Sequence, residues 1–464
     1  MIRFLNAYFP ARTLILGVSE ACLVAFAFVA ATIARLGTTD ATLMLNYEQG
    51  FYKILVVAAA FITCMYYFDL YDSSVLTNQR EVVTRVIQVL GTVCIVLAVL
   101  YYLYPPLELG RGIFLVGFVI VSLLLLSWRR LFLMVNSLPR FAERALIFGD
   151  GSLAEHLVNE FGSRPELGLR IVAQVRDGSS EDGTPAGANG AASVEGLARC
   201  VDFHRVNRVI IAMGDRRGKL PVEQLLSMKG RGVLIQDGTE VYEAITGKLP
   251  IESLRLGWLL FSPGFHVSRA RLIFKRLTST LISVIGLALS LPLIPFIALA
   301  VKSSSSGPIL YRQKRVGRNG LVFECLKFRT MRADAEADSG PTWAEDNDPR
   351  ITRVGRFLRV SRLDEIPQLW NVLKGDMSFV GPRPERPEFV DRLKLEIPYY
   401  YLRHTIRPGI TGWAQICYKY GNTVEDAKEK LRYDLFYIKN MAPGLDLLVL
   451  LQTIKIILLG RGAK

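Results

Sequence analysis

Apolar positions along this chain fall into two regimes. Near the N-terminus they form long runs, at roughly 14–34, 51–68, 86–104 and 113–128. A membrane-crossing helix needs about 20 mostly apolar residues, so the first and third runs are long enough outright and the fourth is short. Arg80 and Arg85 lie between the second and third runs, and Arg129, Arg130, Arg140 and Arg144 follow the fourth. Between the third and fourth there is only Arg111. This asymmetry predicts a transmembrane domain of four helices over residues 1–140, with both ends in the cytoplasm. Glu20 lies inside the first run, where pairing with a neighbouring helix is the commoner use of a carboxylate than an ion path. A first run of this length, followed by others, is not the pattern of a cleaved leader.

From Arg144 the pattern becomes short apolar strands alternating with helical segments. "RALIFGDGSLAEHLVNEF" reads as strand, glycine turn and helix, "LRIVAQVRD" as a second strand, and "VNRVIIAM" as a later one. These are βαβ signals, and they predict a Rossmann-like α/β domain over residues 141–262. Gly149, Gly151 and Ala154 form G-x-G-x-x-A, which serves either a tight turn or a dinucleotide pyrophosphate. Asp177 lies beyond the usual place of a ribose-binding acid, which favours the turn. "DGSSEDGTPAGANGAA" is a polar surface loop.

A further apolar run, Lys275 to Gly307, is long enough to cross a bilayer, yet both flanks are basic. Arg269, Arg271, Lys275 and Arg276 precede it, and Lys302, Arg312, Lys314, Arg315 and Arg318 follow. Pro292 and Pro295 each remove an intrahelical hydrogen bond within it. The expectation is a re-entrant helix over about 272–301 that enters one leaflet, turns at the prolines and leaves by the same face. Asn319, Asn347 and Lys464 would then share the side of Arg140. "LDLLVLLQTIKIILLG" near the C-terminus is short and carries Asp446, Gln452 and Lys455, as an interfacial helix would.

Composition narrows the partners. An apolar fraction of 51% with a net charge of +14 points to an anionic partner, and the clustering of apolar residues favours a lipid bilayer over nucleic acid. The 6 cysteines (Cys22, Cys64, Cys94, Cys200, Cys325, Cys417) form no C-x-x-C pair and read as packing residues of a reducing compartment.

The last two hundred residues carry the chemistry: "GPILYRQKRVGRNGLVFECLKFRTMR", "SRLDEIPQLWNVLKGDMSFVGPRPERPEF", "RPGITGWAQI" and "KLRYDLFYIKN". Adjacent carboxylates at Asp364 and Glu365 repel, and Pro382 and Pro384 stiffen a loop around Arg383 that ordinary packing does not require. Together these motifs resemble the bacterial sugar transferase family, the monotopic polyprenyl-phosphate sugar-1-phosphate transferases. The likeness covers about 265–464, and with four spans and a Rossmann-like domain in front the chain resembles the large, WbaP-type members, among them the exosortase-associated exopolysaccharide branch. The expected fold class is therefore a membrane α-helical bundle plus α/β, with a catalytic domain over 263–464.

The resemblance implies a mechanism. Phosphoryl transfer from a UDP-sugar to undecaprenyl phosphate needs a nucleophile and a shield for the phosphate charge. Asp364 would attack the β-phosphate and release UMP, and Glu365 would hold Mg²⁺, which takes few protein oxygens and fills its octahedron with phosphate and water. Arg383 and Arg359 would contact phosphate, as would Lys327 and Arg329 of "KFRTM" and, more weakly, Arg315. Arg407 to Gln415 either shape the nucleotide pocket or make a turn after Pro408. Asp434 is either a substrate contact or a structural salt-bridge partner.

Two positions depart from the family's membrane segment. Ser279 stands where an aspartate is usual, and Leu291 precedes Pro292 where a serine is usual, with Ser290 one residue early. The resemblance implies an inner-membrane enzyme with its catalytic domain facing the cytoplasm, admits a homodimer, and leaves the sugar open. A membrane-bound nucleotide-sugar dehydratase is the rival enzyme class. It requires Tyr-x-x-x-Lys, and "YEAITGK" is two residues too long. A non-catalytic assembly scaffold is the third class, against which the full set of acid, metal and phosphate residues argues.

Overall fold

The computed structural model describes the chain except for residues 1, 5–6, 73–74, 76–78, 137–141, 165–166, 176–195, 215–219, 255, 263, 266–267, 333–334, 336–347, 419–420, 422 and 459–464. Arg140, Asp177, Asn347, Lys464 and the loop 177–192 lie outside the described residues. The chain divides into two compact units, built on residues 9–238 and 239–464.

After two short strands, β1 (Ile2–Phe4) and β2 (Ala7–Phe9), the first unit opens with apolar helices α1 (Ala11–Tyr47), α2 (Gly50–Tyr67), α3 (Gln79–Leu103) and α4 (Arg111–Asn136). Each is long and apolar enough to cross a membrane. Helix α1 outruns the apolar pattern and is interrupted at Gly37, whose φ is +80°. It packs on α2 and α4. At Gly117 of α4 a Cβ would sit 2.8 Å from the Phe28 ring, so a small residue is what lets these two helices approach. The fourth apolar run, short in sequence, extends through Trp128 and Arg129 because Arg129 is bound inside the bundle. Its guanidinium grips Glu20 of α1 in a two-point ion pair (2.7 and 3.0 Å) and also donates to the Leu70 carbonyl at 2.9 Å. Both side chains are fully buried. Glu20 is thus a packing carboxylate with a named partner.

The α/β part follows as β3 (Glu143–Phe148), α5 (Ser152–Ser163), β4 (Leu169–Val175), α6 (Gly196–His204), β5 (Arg208–Ile211), α7 (Val222–Gly230) and β6 (Leu234–Asp237). The strands form one parallel sheet in the order β4-β3-β5-β6, as the βαβ pattern requires. Gly149 has φ +128°, and a Cβ there would lie 2.6 Å from the Ala212 backbone at the end of β5. The tight turn by itself accounts for that glycine.

The second unit begins at α8 (Gly238–Thr246), ahead of the 262/263 boundary drawn from the sequence, and continues through α9 (Leu256–Phe261). Ion pairs account for the shift. Glu243 binds Lys439 and Asn440, Lys248 binds Glu429 at 2.6 Å, and Glu252 binds Arg432 at 2.5 Å and Lys428 at 2.9 Å. The five partners, Lys439, Asn440, Glu429, Arg432 and Lys428, all lie on the later helix α16 (Val424–Asn440), to which this segment is thereby fastened.

Next come α10 (Arg269–Ser290) and α11 (Ile294–Ser304), separated by Leu291–Leu293. Pro292 lies in the break and Pro295 in the first turn of α11, where no N–H is needed. Helix α10 alone is long and apolar enough to cross a membrane, the fifth such helix among the described residues. The antiparallel hairpin β7 (Leu310–Val316) and β8 (Val322–Phe328) follows, then α12 (Arg353–Val360), α13 (Gln368–Lys374), β9 (Ser378–Val380), α14 (Pro387–Glu396), β10 (Gly409–Thr411), α15 (Trp413–Cys417), α16 (Val424–Asn440) and α17 (Pro443–Leu458). Both helices flanking the break pack on this unit. Lys275 of α10 binds Asp446 at 2.7 Å and the Tyr437 hydroxyl, Ser279 bonds Ser378 at 3.0 Å and accepts from the Phe379 amide, and Gly286 abuts Leu369. Ile297 and Val301 of α11 pack with Phe328 and Leu358. Ser279 therefore has its own hydrogen-bonding role, and Ser290 bonds back to the Gly286 carbonyl.

Glu20→Gln leaves the buried Arg129 charge without its counter-charge and is expected to cost about 3–5 kcal/mol. The loss reads as a lower melting temperature in detergent, which Glu20→Leu combined with Arg129→Leu should largely restore. An unchanged single variant would show that this pair does not hold α1 to α4.

Candidate active site

Two residues beyond the end of α12, Arg362 has a left-handed φ of +59° that turns the chain into a single 3₁₀ turn, Leu363–Glu365. A non-glycine residue held there stores about 1–2 kcal/mol of strain, a device that presents side chains at sharp angles. The turn buries both acids, Asp364 at 6% and Glu365 at 8% exposure. Their surroundings differ. Glu365 Oε1 accepts from Lys327 Nζ at 3.0 Å and Arg383 Nη2 at 2.9 Å, with Arg362 Nη1 at 3.9 Å. Asp364 makes no hydrogen bond or ion pair among the described residues.

Their acidities diverge accordingly. Burial alone would raise Glu365, but Lys327, Arg383 and Arg362 outweigh it and hold the carboxyl well below the usual range. For Asp364 burial wins and pushes the carboxyl up, with the Glu365 charge adding to it against Lys327, Arg359 and Arg383. Glu365 therefore supports folding above the ordinary glutamate pKa and loses that support as pH falls. Asp364 acts with the opposite sign: its cost to stability grows as pH rises from the ordinary aspartate pKa and is complete above its raised value.

Lys327 reaches Glu365 from β8. Arg329, two residues on, is 6% exposed and donates Nη2 to the Ser305 carbonyl at 2.6 Å. Its Nε and Nη1, and the Ser305 hydroxyl, are buried without a hydrogen-bond partner among the described residues. Buried donors left open beside charged groups are what an anionic ligand satisfies. Arg359 acts on Asp364 and donates Nε to the Thr330 hydroxyl at 3.0 Å.

Other residues singled out in the sequence stand behind the acid pair. Arg315 spends its guanidinium on Gln313 (2.9 and 2.6 Å), the Pro384 carbonyl (2.9 Å) and Glu385 (3.6 Å). Asp434 is buried in α16 and pairs with Arg403 at 2.9 Å, the salt-bridge reading of that residue. Burial, opposed by Arg403, pushes Asp434 up to about 6. Gln415 donates to the Ile410 carbonyl at 3.3 Å. Arg407 is half-buried, and burial followed by the like charges of Arg276 and Arg318 lowers its pKa.

The segment 407–415 packs against the loop at Gly381. Strands β9 and β10 pair in parallel, and Gly409 and Gly412 meet Gly381 back to back. A Cβ at Gly409 would lie 2.1 Å from the Gly381 nitrogen, and one at Gly412 would lie 2.1 Å from the Gly381 carbonyl oxygen. The "RPGITG" and "GPRP" stretches are thus two sides of one backbone contact.

The sequence reading missed Arg362, Arg403 and Gln368. Gln368 is 3% exposed, lies one turn beyond Asp364, and has a buried Nε2 with no partner among the described residues. His404 stays neutral: burial, then Arg403 and Lys394, pushes it down to about 3. Lys248 of "YEAITGK" is bound to Glu429, not poised as a proton relay. For a divalent ion, Asp364 and Glu365 offer two carboxylates, and among the described residues there is no group of three or more His, Cys, Asp or Glu that could hold one. Two carboxylates are within what Mg²⁺ takes, since it completes its shell from substrate phosphate and water.

A family model described as bacterial sugar transferase matches residues 270–460, and one described as a CoA-binding domain matches residues 66–219. The chain is 42% identical over 228 residues (48% of this chain, 52% of the relative) to a UDP-N-acetylgalactosamine-undecaprenyl-phosphate N-acetylgalactosaminephosphotransferase of Aeromonas hydrophila. It is 35% identical over 317 residues (66% of each chain) to a UDP-glucose:undecaprenyl-phosphate glucose-1-phosphate transferase of Escherichia coli K12. A transferase of the same name from Caulobacter vibrioides is 40% identical over 217 residues, 45% of this chain and 80% of the relative. The chain spans about half of the Aeromonas protein's length and about two thirds of the E. coli protein's. It belongs to the bacterial sugar transferase family.

Asp364→Asn, in ligand-free, chelated buffer at neutral pH, is expected to raise the melting temperature, because it removes a buried carboxyl that has no hydrogen-bond or ion-pair partner among the described residues. Glu365→Gln should lower stability by about 1–3 kcal/mol, since Lys327 and Arg383 lose their shared counter-charge. Equal and opposite behaviour of the two acids to that stated would refute the assignment of their environments.

Proposed function

We propose that this chain transfers a sugar 1-phosphate from a UDP-sugar to a polyprenyl phosphate, undecaprenyl phosphate being the acceptor named for its relatives, and releases UMP. The observation that carries this reading is the opposite treatment of two adjacent buried acids. Glu365 is locked by cations and cannot attack. Asp364 is desolvated, unbonded and held beside Lys327, Arg359 and Arg383, the setting of a nucleophile that awaits an anionic electrophile.

In the first step an Asp364 carboxylate oxygen attacks the β-phosphorus. The bond from that phosphorus to the bridging oxygen breaks, and UMP leaves with the electron pair. In the second step a phosphate oxygen of the lipid attacks the same phosphorus, and the Asp364 carboxylate is expelled. Arg383 and Lys327 orient the β-phosphate and offset its growing charge, and Arg329 with the Ser305 hydroxyl supplies donors to phosphate oxygens. Mg²⁺, held by Glu365 with Asp364 adjacent, would supply a Lewis acid for the diphosphate. The names of relatives divide between glucose and N-acetylgalactosamine donors, so the sugar is a matter for assay.

In this reading α10 and α11 form a re-entrant hairpin in an otherwise four-span protein of the inner membrane, with the catalytic unit on the cytoplasmic side. Support comes from both helices returning to one unit, α10 through Lys275 and Ser279, α11 through Ile297 and Val301. Exporting a basic flank would bring Lys and Arg to the bilayer centre at roughly 2.5–3.5 kcal/mol each.

The test is purified protein with undecaprenyl phosphate and a panel of UDP-sugars, reading UMP. One donor should be turned over, Asp364→Asn should lower the rate at least about 10³-fold, and chelation should stop turnover until Mg²⁺ is restored. Near-normal rates in Asp364→Asn would remove that residue from the mechanism, and indifference to chelation would remove the metal. For topology, a single cysteine at position 319 should label with an impermeant maleimide only after the inner membrane is opened. Labelling of intact spheroplasts would mean that the segment crosses.

A further inference from the structure

The loop that carries Arg383 is held by its carbonyls. Pro382 and Pro384 have no N–H, so donors from elsewhere must fix the loop. Four consecutive carbonyls are caught. Pro382 O accepts from Gly409 N, Arg383 O from Arg403 Nη2, Pro384 O from Arg315 Nη1 and Glu385 O from Val316 N, each at 2.9 Å. Two of the four donors are backbone amides of flanking strands. The other two are arginine side chains, which nothing in the mechanism above uses.

Arg403 is the more deeply set of the two arginines. It is 6% exposed in the 3₁₀ segment Tyr400–His404. Its Nη1 donates to the Tyr400 hydroxyl at 2.6 Å, its guanidinium lies 5.2 Å from the centre of the same ring, and its Nη2 pairs with Asp434 at 2.9 Å. Asp434 is 2% exposed and balances the charge locally. Arg403 therefore exerts little net field on a phosphate. What it supplies is direction, through a planar fork that meets three acceptors at once.

Resting on the function proposed above, we infer that Arg403, anchored by Asp434 and Tyr400, is a positioning residue for the transfer reaction. It fixes the Arg383 backbone, and so aims the Arg383 guanidinium at Glu365 and at the phosphate beside it. A displacement of about 1 Å at such a group costs on the order of 10²-fold in rate. Asp434 acts one step further back, by holding Arg403.

The test is a double-mutant cycle on the full-length protein in detergent, with the UDP-sugar that the wild type turns over. Arg403→Lys keeps the charge but cannot bridge three acceptors. It should lower kcat about 10- to 100-fold and leave KM for the UDP-sugar within about 3-fold, as expected when only alignment is lost. In an Arg383→Lys background the same change should add less than about 3-fold, because the residue it aims is already gone. Tyr400→Phe, which removes one acceptor and keeps the ring, should show the same pattern more weakly and serves if Arg403→Lys does not fold. A rise in KM at constant kcat would make Arg403 a substrate ligand, and effects that multiply across the cycle would make its role independent of Arg383. A kcat loss no larger than the fall in folded fraction would make it merely structural. Each of these overturns the inference. A wild type that releases no UMP from any donor would instead remove the function on which the inference rests, and the inference with it.

Discussion

The geometry of the second unit depends on one buried charge, that of Glu365. A carboxylate removed from water is costly unless cations meet it, and here Lys327 from a strand and Arg383 from a proline-braced loop converge on a single oxygen. At near 3 Å and an effective dielectric of about 20, each contact is a gross attraction of about 5 kcal/mol, most of it offset by desolvation. The net gain in stability is small, and the gain in definition is large. The pair fixes where β8 ends relative to the loop at 381–385. It also leaves the neighbouring carboxyl of Asp364 as the one acid of the two with no partner among the described residues, which separates the environments of two residues adjacent in sequence.

Around that charge the backbone is arranged by exclusion. Gly409 and Gly412 let β10 press against Gly381 closer than any side chain would allow, and the prolines deny the loop its own donors. Remaining freedom is removed by side chains from farther away, Arg315 and Arg403. Helix α16, which carries Asp434, is itself fastened by Glu243 and Glu252 in the segment that precedes α10. Rigidity of the site is thus inherited from successive layers of ion pairs, each too short in reach to act alone.

Much of this was legible in the sequence where the information is contiguous. The acid pair, the "KFRTM" strand and the proline-braced arginine are each local motifs, and the structure brings Lys327 and Arg383 together on Glu365. Apolar run length gave α1 to α4, and strand–turn–helix patterning gave the parallel sheet. What escaped was long-range. Arg403 sits in "YYLRHT" with nothing in its spacing to tie it to Arg383 or Asp434. A carboxylate within the buried stretch "YDLFYI" was the available hint, because it demands a cation that the sequence does not identify. The fastening of residues 243–252 to residues some 180 positions later left no local mark either, so the unit boundary fell earlier than composition suggested. The helix break falls where the prolines stand, at Leu291–Leu293 between α10 and α11.

The account turns on Asp364 carrying the phosphosugar. Its most direct test is mass spectrometry of the protein incubated with its UDP-sugar donor and no lipid acceptor. The account requires an adduct of one sugar phosphate per chain, confined to the peptide that contains Asp364, formed in step with one equivalent of UMP and discharged when undecaprenyl phosphate is added. Turnover without any adduct, or an adduct on another residue, would contradict it.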